Sequence, residues 1–194
     1  ELDLAGHPTL ATAHIILTEY YDNKKDIIFK TKIKDTLNVR LEKNIYVMDF
    51  PSRFPSKNNN IDVLEDALGK RPIETMAHRD LIAVYENEDA ILSIQPNMDK
   101  LLKLDYPAVI ITAPGKNVDF VSRNFAPKLG IPEDPVTGSA HCELIPYWSK
   151  KLNKTKMIAH QVSKRGGEIY CIDNDERVSI GGSAITFLKG EIFV

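Results

Sequence analysis

Gly130-Ile131-Pro132-Glu133-Asp134-Pro135-Val136-Thr137-Gly138-Ser139-Ala140-His141-Cys142 is the most informative stretch of the chain. Its prolines and glycines predict a loop as far as Gly138, and the residues from Ser139 onward predict a helix. Ser139 is expected at the N-cap, where its hydroxyl satisfies an otherwise unbonded helix N–H. Gly138 lets backbone approach a ligand closely. Exposed N–H groups and the positive helix end then form an anion site, suited to a substrate carboxylate without any basic side chain. Asp134, held by Pro135 just ahead of that site, is placed to accept or donate a proton. The competing reading is that Asp134 and Ser139 merely cap a helix. Pro146 predicts a kink or an early end near Ile145.

Working outward, Gly6-His7-Pro8-Thr9 offers the same arrangement at an earlier helix. His7 is expected as its N-cap, with Pro8 in the first turn, where a missing N–H costs nothing. Alone, His7 reads as a structural cap, but an imidazole there could also exchange protons near neutral pH. Leu10, Ala13, Ile16 and Leu17 recur with helical spacing, and the helix should end by Asp22-Asn23. Strands are expected at Asp26–Ile33, Leu37–Leu41 and Ile45–Phe50, with a turn at Lys34-Asp35-Thr36. Pro51–Asn60 reads as a connector, and a short helix at Ile61–Leu68 should stop at Gly69.

Beyond it, Leu81–Tyr85, Ala90–Ile94, Ala108–Thr112 and Asp119–Arg123 are expected as strands, with a short helix at Asp99–Leu104. Strands are also expected at Met157–Val162, Gly167–Ile172, Val178–Ile180 and Ala184–Phe193. Each Gly-led helix is thus followed by three strands. An offset of 132 aligns Gly6 with Gly138, Thr31 with Ser163 and Leu37 with Ile169. A rival offset of 127 aligns Ala13-His14 with Ala140-His141, and the sequence does not choose between them.

The 194 residues carry 25 Lys+Arg and 27 Asp+Glu, with 43% hydrophobic residues. This is the composition of a globular protein rather than a disordered, collagenous or coiled-coil chain. Near-neutral charge and the lack of Phe or Tyr interleaved with the Lys150–Lys156 run disfavour nucleic acid as a partner. No apolar run approaches the roughly 20 residues of a membrane span, so no membrane partner is expected. Cys142 and Cys171 are too few for a disulfide scaffold, and a cytoplasmic location is the default. The histidines make no tight metal spacing, so no metal is expected, and a metal-dependent hydrolase is a remote third reading. His78-x-Asp80 reads as a polar pair at a strand edge. There is no dinucleotide or phosphate-loop motif.

The long stretch from Arg123-Asn124-Phe125-Ala126-Pro127 through Cys142, together with Pro146-Tyr147-Trp148, resembles the phenazine-biosynthesis PhzF-like family. So do Ala5-Gly6-His7-Pro8-Thr9-Leu10-Ala11, Arg165-Gly166-Gly167 and Gly181-Gly182. The resemblance implies an α+β, diaminopimelate-epimerase-like fold. Two pseudo-symmetric halves, 1–58 and 59–194, would each wrap mostly antiparallel sheet or barrel around a central helix. It implies a cofactor-independent isomerase, in the best-understood member acting on a dihydro-hydroxyanthranilate, and a homodimer. The substrate would be a small carboxylate held between two helix N-termini. His7, Asp134 and Ser139 carry over as catalytic groups, and Gly6, Gly138 and Ala140 as substrate-binding positions.

Ala5 and Thr137 stand where the related epimerases place a pair of cysteines, so two-thiol racemisation is not expected. The family's glutamate base, in an Asn-x-Ser-Glu-Thr-like motif, has no counterpart here. It is expected in a segment ahead of Glu1, whose surroundings resemble the middle of a protein. The alternative from another class is a non-catalytic anion-binding or interaction protein on the same fold.

Overall fold

The computed structural model describes residues 4–21, 23–31 and 36–192. The first helix, α1 (Gly6–Ile15), runs into one π-helical turn at Ile16–Tyr20. It is followed by β1 (Asp26–Lys30), β2 (Thr36–Glu42) and β3 (Ile45–Pro51), an antiparallel meander. The end of the expected first strand at Ile33, most of the Lys34-Asp35-Thr36 turn and the helix-end residue Asp22 lie outside the described residues. Then come β4 (Ser56–Lys57), α2 (Ile61–Leu68), β5 (Glu74–Ala77) and β6 (Leu81–Val84). After α3 (Glu88–Leu92) and α4 (Met98–Leu101) follow β7 (Val109–Pro114), β8 (Phe120–Ala126) and β9 (Ile131–Asp134). The chain continues through α5 (Gly138–Leu152), β10 (Lys156–Gln161), β11 (Gly167–Asn174) and β12 (Arg177–Gly182).

The strands form one mixed sheet in the order β1-β2-β3-β12-β11-β10-β8-β7-β6-β5-β4, with β9 added against β8. Its central join is the antiparallel pair β3–β12, in which Met48 faces Ile180. The residues paired at this join, Met48 and Ile180, and the abutting Gly6 and Gly138 are both separated by the 132-residue offset. The offset of 127 has no such counterpart at the join.

One apolar core lies around α1 and α5 and takes side chains from β2, β3 and β10–β12. Ten consecutive residues of α5, Ala140–Ser149, are buried, so it is a central helix covered on every side. A second core packs α2, α3 and α4 on the opposite face of β6–β8. Alternate residues of β6 serve the two cores, with Ile82 and Val84 on one side and Leu81 and Ala83 on the other.

Several expectations are corrected. Ala5, not His7, is the N-cap of α1, because the Thr9 N–H and hydroxyl both return to the Ala5 carbonyl, the latter at 2.6 Å. Likewise Thr137, not Ser139, is the N-cap of α5. Pro146 does not end α5, which runs on to Leu152. The carbonyl it leaves unbonded, that of Cys142, accepts the Arg53 N–H at 2.9 Å, so the Pro51–Asn60 connector supplies the missing donor. Ala90–Ile94 is not a strand: Asn87 accepts from the Ala90 N–H at 2.9 Å and caps α3, whose first turn is acidic. Residues 184–192 make no ladder, and Ile185, Phe187 and Leu188 are exposed. Phe193 lies outside the described residues.

Candidate functional site

The first turns of α1 and α5 abut. A Cβ built on Gly6 would stand 3.0 Å from the Gly138 Cα, and one on Gly138 would stand 3.1 Å from the Gly6 Cα. Only a pair of glycines permits this approach. A helix leaves its first N–H groups without intrahelical partners. Among the described residues, those of Gly6, His7, Gly138, Ser139 and Ala140 find no other acceptor. Pro8, in the same turn of α1, has none to offer. Five donors and two positive helix ends therefore converge on one spot, which makes it an anion site by geometry.

Cavities open on both sides of this junction. The smaller, about 180 Å³, is lined by Gly6, His7, Asp134, Thr137, Gly138 and Ser139, with Arg79, Asp80 and Asn124 further along its wall. The larger, about 290 Å³, shares Gly6, His7 and Gly138 and adds Arg165 and the glycines of the two late pairs. Those glycines keep that wall thin: a Cβ on Gly167 would collide with Val136 Cγ2 at 2.4 Å, and one on Gly181 would meet Ile45 and Tyr170 at 3.0 Å. The structure therefore brings together His7, Asp134, Ser139, Gly6 and Gly138. The Ala140 side chain is packed in the core, so that residue offers the junction only its N–H.

Asp134 is held from two directions. Thr137 Oγ1 donates to its Oδ2 at 2.6 Å, and Gln161 Nε2 donates to its main-chain carbonyl at 2.6 Å. Gln161 also donates to Thr137 Oγ1 at 3.1 Å and accepts the Thr137 N–H at 2.8 Å. The other carboxylate oxygen, Oδ1, has no partner among the described residues. The strand bearing Asp134 is anchored by its neighbour. Glu133 receives Arg123 Nε at 2.7 Å and Nη2 at 3.1 Å, and Arg123 also donates to the carbonyls of Ile91 and Ile94. Glu133 is thus a brace rather than a free base.

Thr137 and Gln161 are positioning residues that sequence reasoning passed over. The signal for Gln161 lay in β10, where Met157, Ala159 and Gln161 share the buried face. An amide on an apolar stripe needs a polar partner. Gln161→Leu is expected to cost about 2–3 kcal/mol, because the Thr137 N–H and the Asp134 carbonyl lose their partners together. Urea denaturation measures this, and a change below about 0.5 kcal/mol would show that the clamp is dispensable.

Two further groups lie deeper. His141 is fully buried, its Nδ1 at 2.7 Å from the Thr137 carbonyl, and burial pushes its pKa down to about 4. Its ring is therefore neutral with the proton on Nδ1, and Cys142 beside it is a core residue turned elsewhere, so they form no dyad. Asp80 is buried in the turn between β5 and β6 and is no surface pair with His78; its N–H donates to Glu143 Oε1 at 3.3 Å. Burial, reinforced by the Asp80 charge, pushes Glu143 up to about 8.

The phenazine biosynthesis-like protein family (PhzC–PhzF) matches residues 1–190. An uncharacterized isomerase of Pseudomonas aeruginosa is 44% identical over 193 residues, 99% of this chain and 74% of its own length. The mouse phenazine biosynthesis-like domain-containing protein 1 is 33% identical over 99% of this chain and 74% of its own. A crystal structure of a PhzF-family protein from Enterococcus faecalis superposes with a TM-score of 0.95 at 44% identity, covering all of this chain and 75% of that one. Fold, order of elements and sequence agree along the whole length, and the chain belongs to the phenazine biosynthesis-like PhzF family.

Proposed function

We propose that this protein is a PhzF-type isomerase that moves a proton on a small carboxylate-bearing substrate. Relatives in the family bear the name isomerase. The observation that carries the reading is the junction of two helix starts, with unbonded N–H groups, in a cavity shared by His7, Asp134 and Ser139. The substrate carboxylate sits on those N–H groups and fixes the neighbouring carbon against Asp134 and His7. Asp134, steadied through Oδ2, and His7 orient the substrate or relay the proton, and Ser139 hydrogen-bonds the substrate. The same reading takes the 132-residue offset as a duplication into two pseudo-symmetric halves.

The test is deuterium wash-in from heavy water, followed by proton NMR, with a dihydro-hydroxyanthranilate as substrate. Exchange is expected, and Asp134→Asn or His7→Ala should each slow it by a factor of about 10² or more. Saturable binding of the acid without exchange would instead favour the non-catalytic anion binder. Exchange indifferent to both substitutions would remove the assigned roles.

A further inference from the structure

Asp80 and Asn124 line the smaller cavity beyond the helix junction, from the β5–β6 turn and from β8. They are 1% and 3% exposed. Neither side chain makes a hydrogen bond among the described residues. The cation nearest in charge, Arg79, stands 4.0 Å from Asp80 Oδ2, which is too long for one. Seven buried side-chain polar atoms lack a partner among the described residues, and four belong to Arg79, Asp80, Asn124 and Glu143. Folded proteins leave few such groups, and each costs roughly 1–3 kcal/mol. Three of the four, on Arg79, Asp80 and Asn124, line one cavity, and this concentration points to something else that satisfies them.

The turn itself does not require Asp80 to be buried, since turn residues ordinarily face water. Instead Asp80 packs over α5, at the residue one turn beyond Ser139, where its N–H meets Glu143. Through that bond Glu143 takes the Asp80 main chain and not its carboxyl, and Asp80 Oδ1 and Glu143 Oε2 both stay without a partner among the described residues. The Asn124 amide and the Asp80 carboxyl remain for the cavity. Besides the N–H donors of the helix junction, the cavity wall thus presents the oxygens of Asp80 and Asn124, next to an unpartnered Arg79 Nη1.

We propose that Asp80 and Asn124 form a second polar subsite, which accepts hydrogen bonds from a hydroxyl or amino substituent of the bound acid and so decides which small acids are taken. This rests on the helix junction being the carboxylate site. The residues would be kept for selectivity at a cost in stability.

The test uses calorimetric titration of the protein with benzoate and with its 3- and 4-hydroxy and 3- and 4-amino derivatives. At least one donor-bearing acid is expected to bind about tenfold more tightly than benzoate, and the hydroxy and amino series show which donor fits. Asn124→Leu should reduce that preference to within about twofold and hold or raise stability, because an orphaned amide gives way to an apolar side chain of similar shape. Asn124→Ala serves if the leucine cannot be accommodated, and Asp80→Asn should lose part of the preference. Benzoate binding with no gain from any donor, or a gain that survives at both positions, would overturn the subsite alone. If no acid binds, the anion-site reading and the subsite both fall.

Discussion

Gly138→Ala is expected to lower stability by about 1–3 kcal/mol, and Gly6→Ala by a similar amount. The reason is local and geometric. Each new Cβ would lie 3.0–3.1 Å from a backbone Cα of the facing helix, so relief requires a helix to move rather than a side chain to rotate. The double variant places two methyl groups in one gap and should cost more than the sum of the single changes. Separation of the helices would also spread the converging N–H groups, so affinity for a small carboxylate should fall with stability. Gly190→Ala is the control, since nothing lies within 4 Å of its Cβ and its φ is ordinary. Urea unfolding of the four proteins decides the matter. A Gly138→Ala protein within 0.5 kcal/mol of the parent, with strict additivity in the double variant, would mean that the junction is loose.

That junction also shows how much of the architecture can be read from residue order. Local signals were dependable: α2 occupies Ile61–Leu68 and ends on a left-handed Gly69, and the three strands after each Gly-led helix form where the β-branched runs lie. The couples Gly6–Gly138 and Met48–Ile180 share the 132-residue separation, which becomes visible only once β3 and β12 pair, a contact across more than a hundred residues. Several errors share this dependence on distant partners, whereas the N-caps of α1 and α5 and the helical α3 are decided locally. Pro146 would end an isolated helix, yet Arg53 donates to the carbonyl it strands. Ile131–Asp134 lacks the alternation of a strand and becomes one because β8 offers an edge and Arg123 grips Glu133. The apolar residues of 184–192 have β-like composition but no ladder partner among the described residues.

The candidate site divides the same way. His7, Asp134, Ser139 and the two glycines stand out as residues flanking helix starts, where local rules apply. Gln161, Asn124 and Asp80 come from a strand, another strand and a turn, and only the assembled sheet brings Asn124 and Asp80 to the cavity and Gln161 to Asp134. Gln161 and Asn124 are polar side chains on the buried faces of strands, whereas Asp80 follows exposed or half-buried turn residues and carries no such mark.

The buried acid behind that cavity should govern how stability varies with pH. In the unfolded chain a glutamate ionises near 4.5, whereas Glu143 in the fold, buried and beside Asp80, holds its proton to about 8. Between those values the folded state carries a proton that the unfolded state has lost, so stability must fall as pH rises, by about 1.4 kcal/mol per pH unit at full separation. His141 acts oppositely. Its folded value of about 4 lies below the unfolded 6.5, so stability rises with pH across that interval. The two slopes offset each other from about pH 4.5 to 6.5, and the Glu143 loss is exposed from 6.5 to 8. Glu143→Gln keeps the shape and a hydrogen-bond donor without an ionising proton. It is expected to flatten this decline, so that its stability relative to the parent gains about 2 kcal/mol between pH 6.5 and 8. Glu143→Ala should instead destabilise at every pH, because it leaves a cavity and removes the acceptor of the Asp80 N–H. Unfolding by urea at half-unit intervals of pH measures both. Parallel curves for parent and Glu143→Gln would show that Glu143 is already ionised in the fold, with Arg53 and Arg79 outweighing its burial and its neighbour's charge.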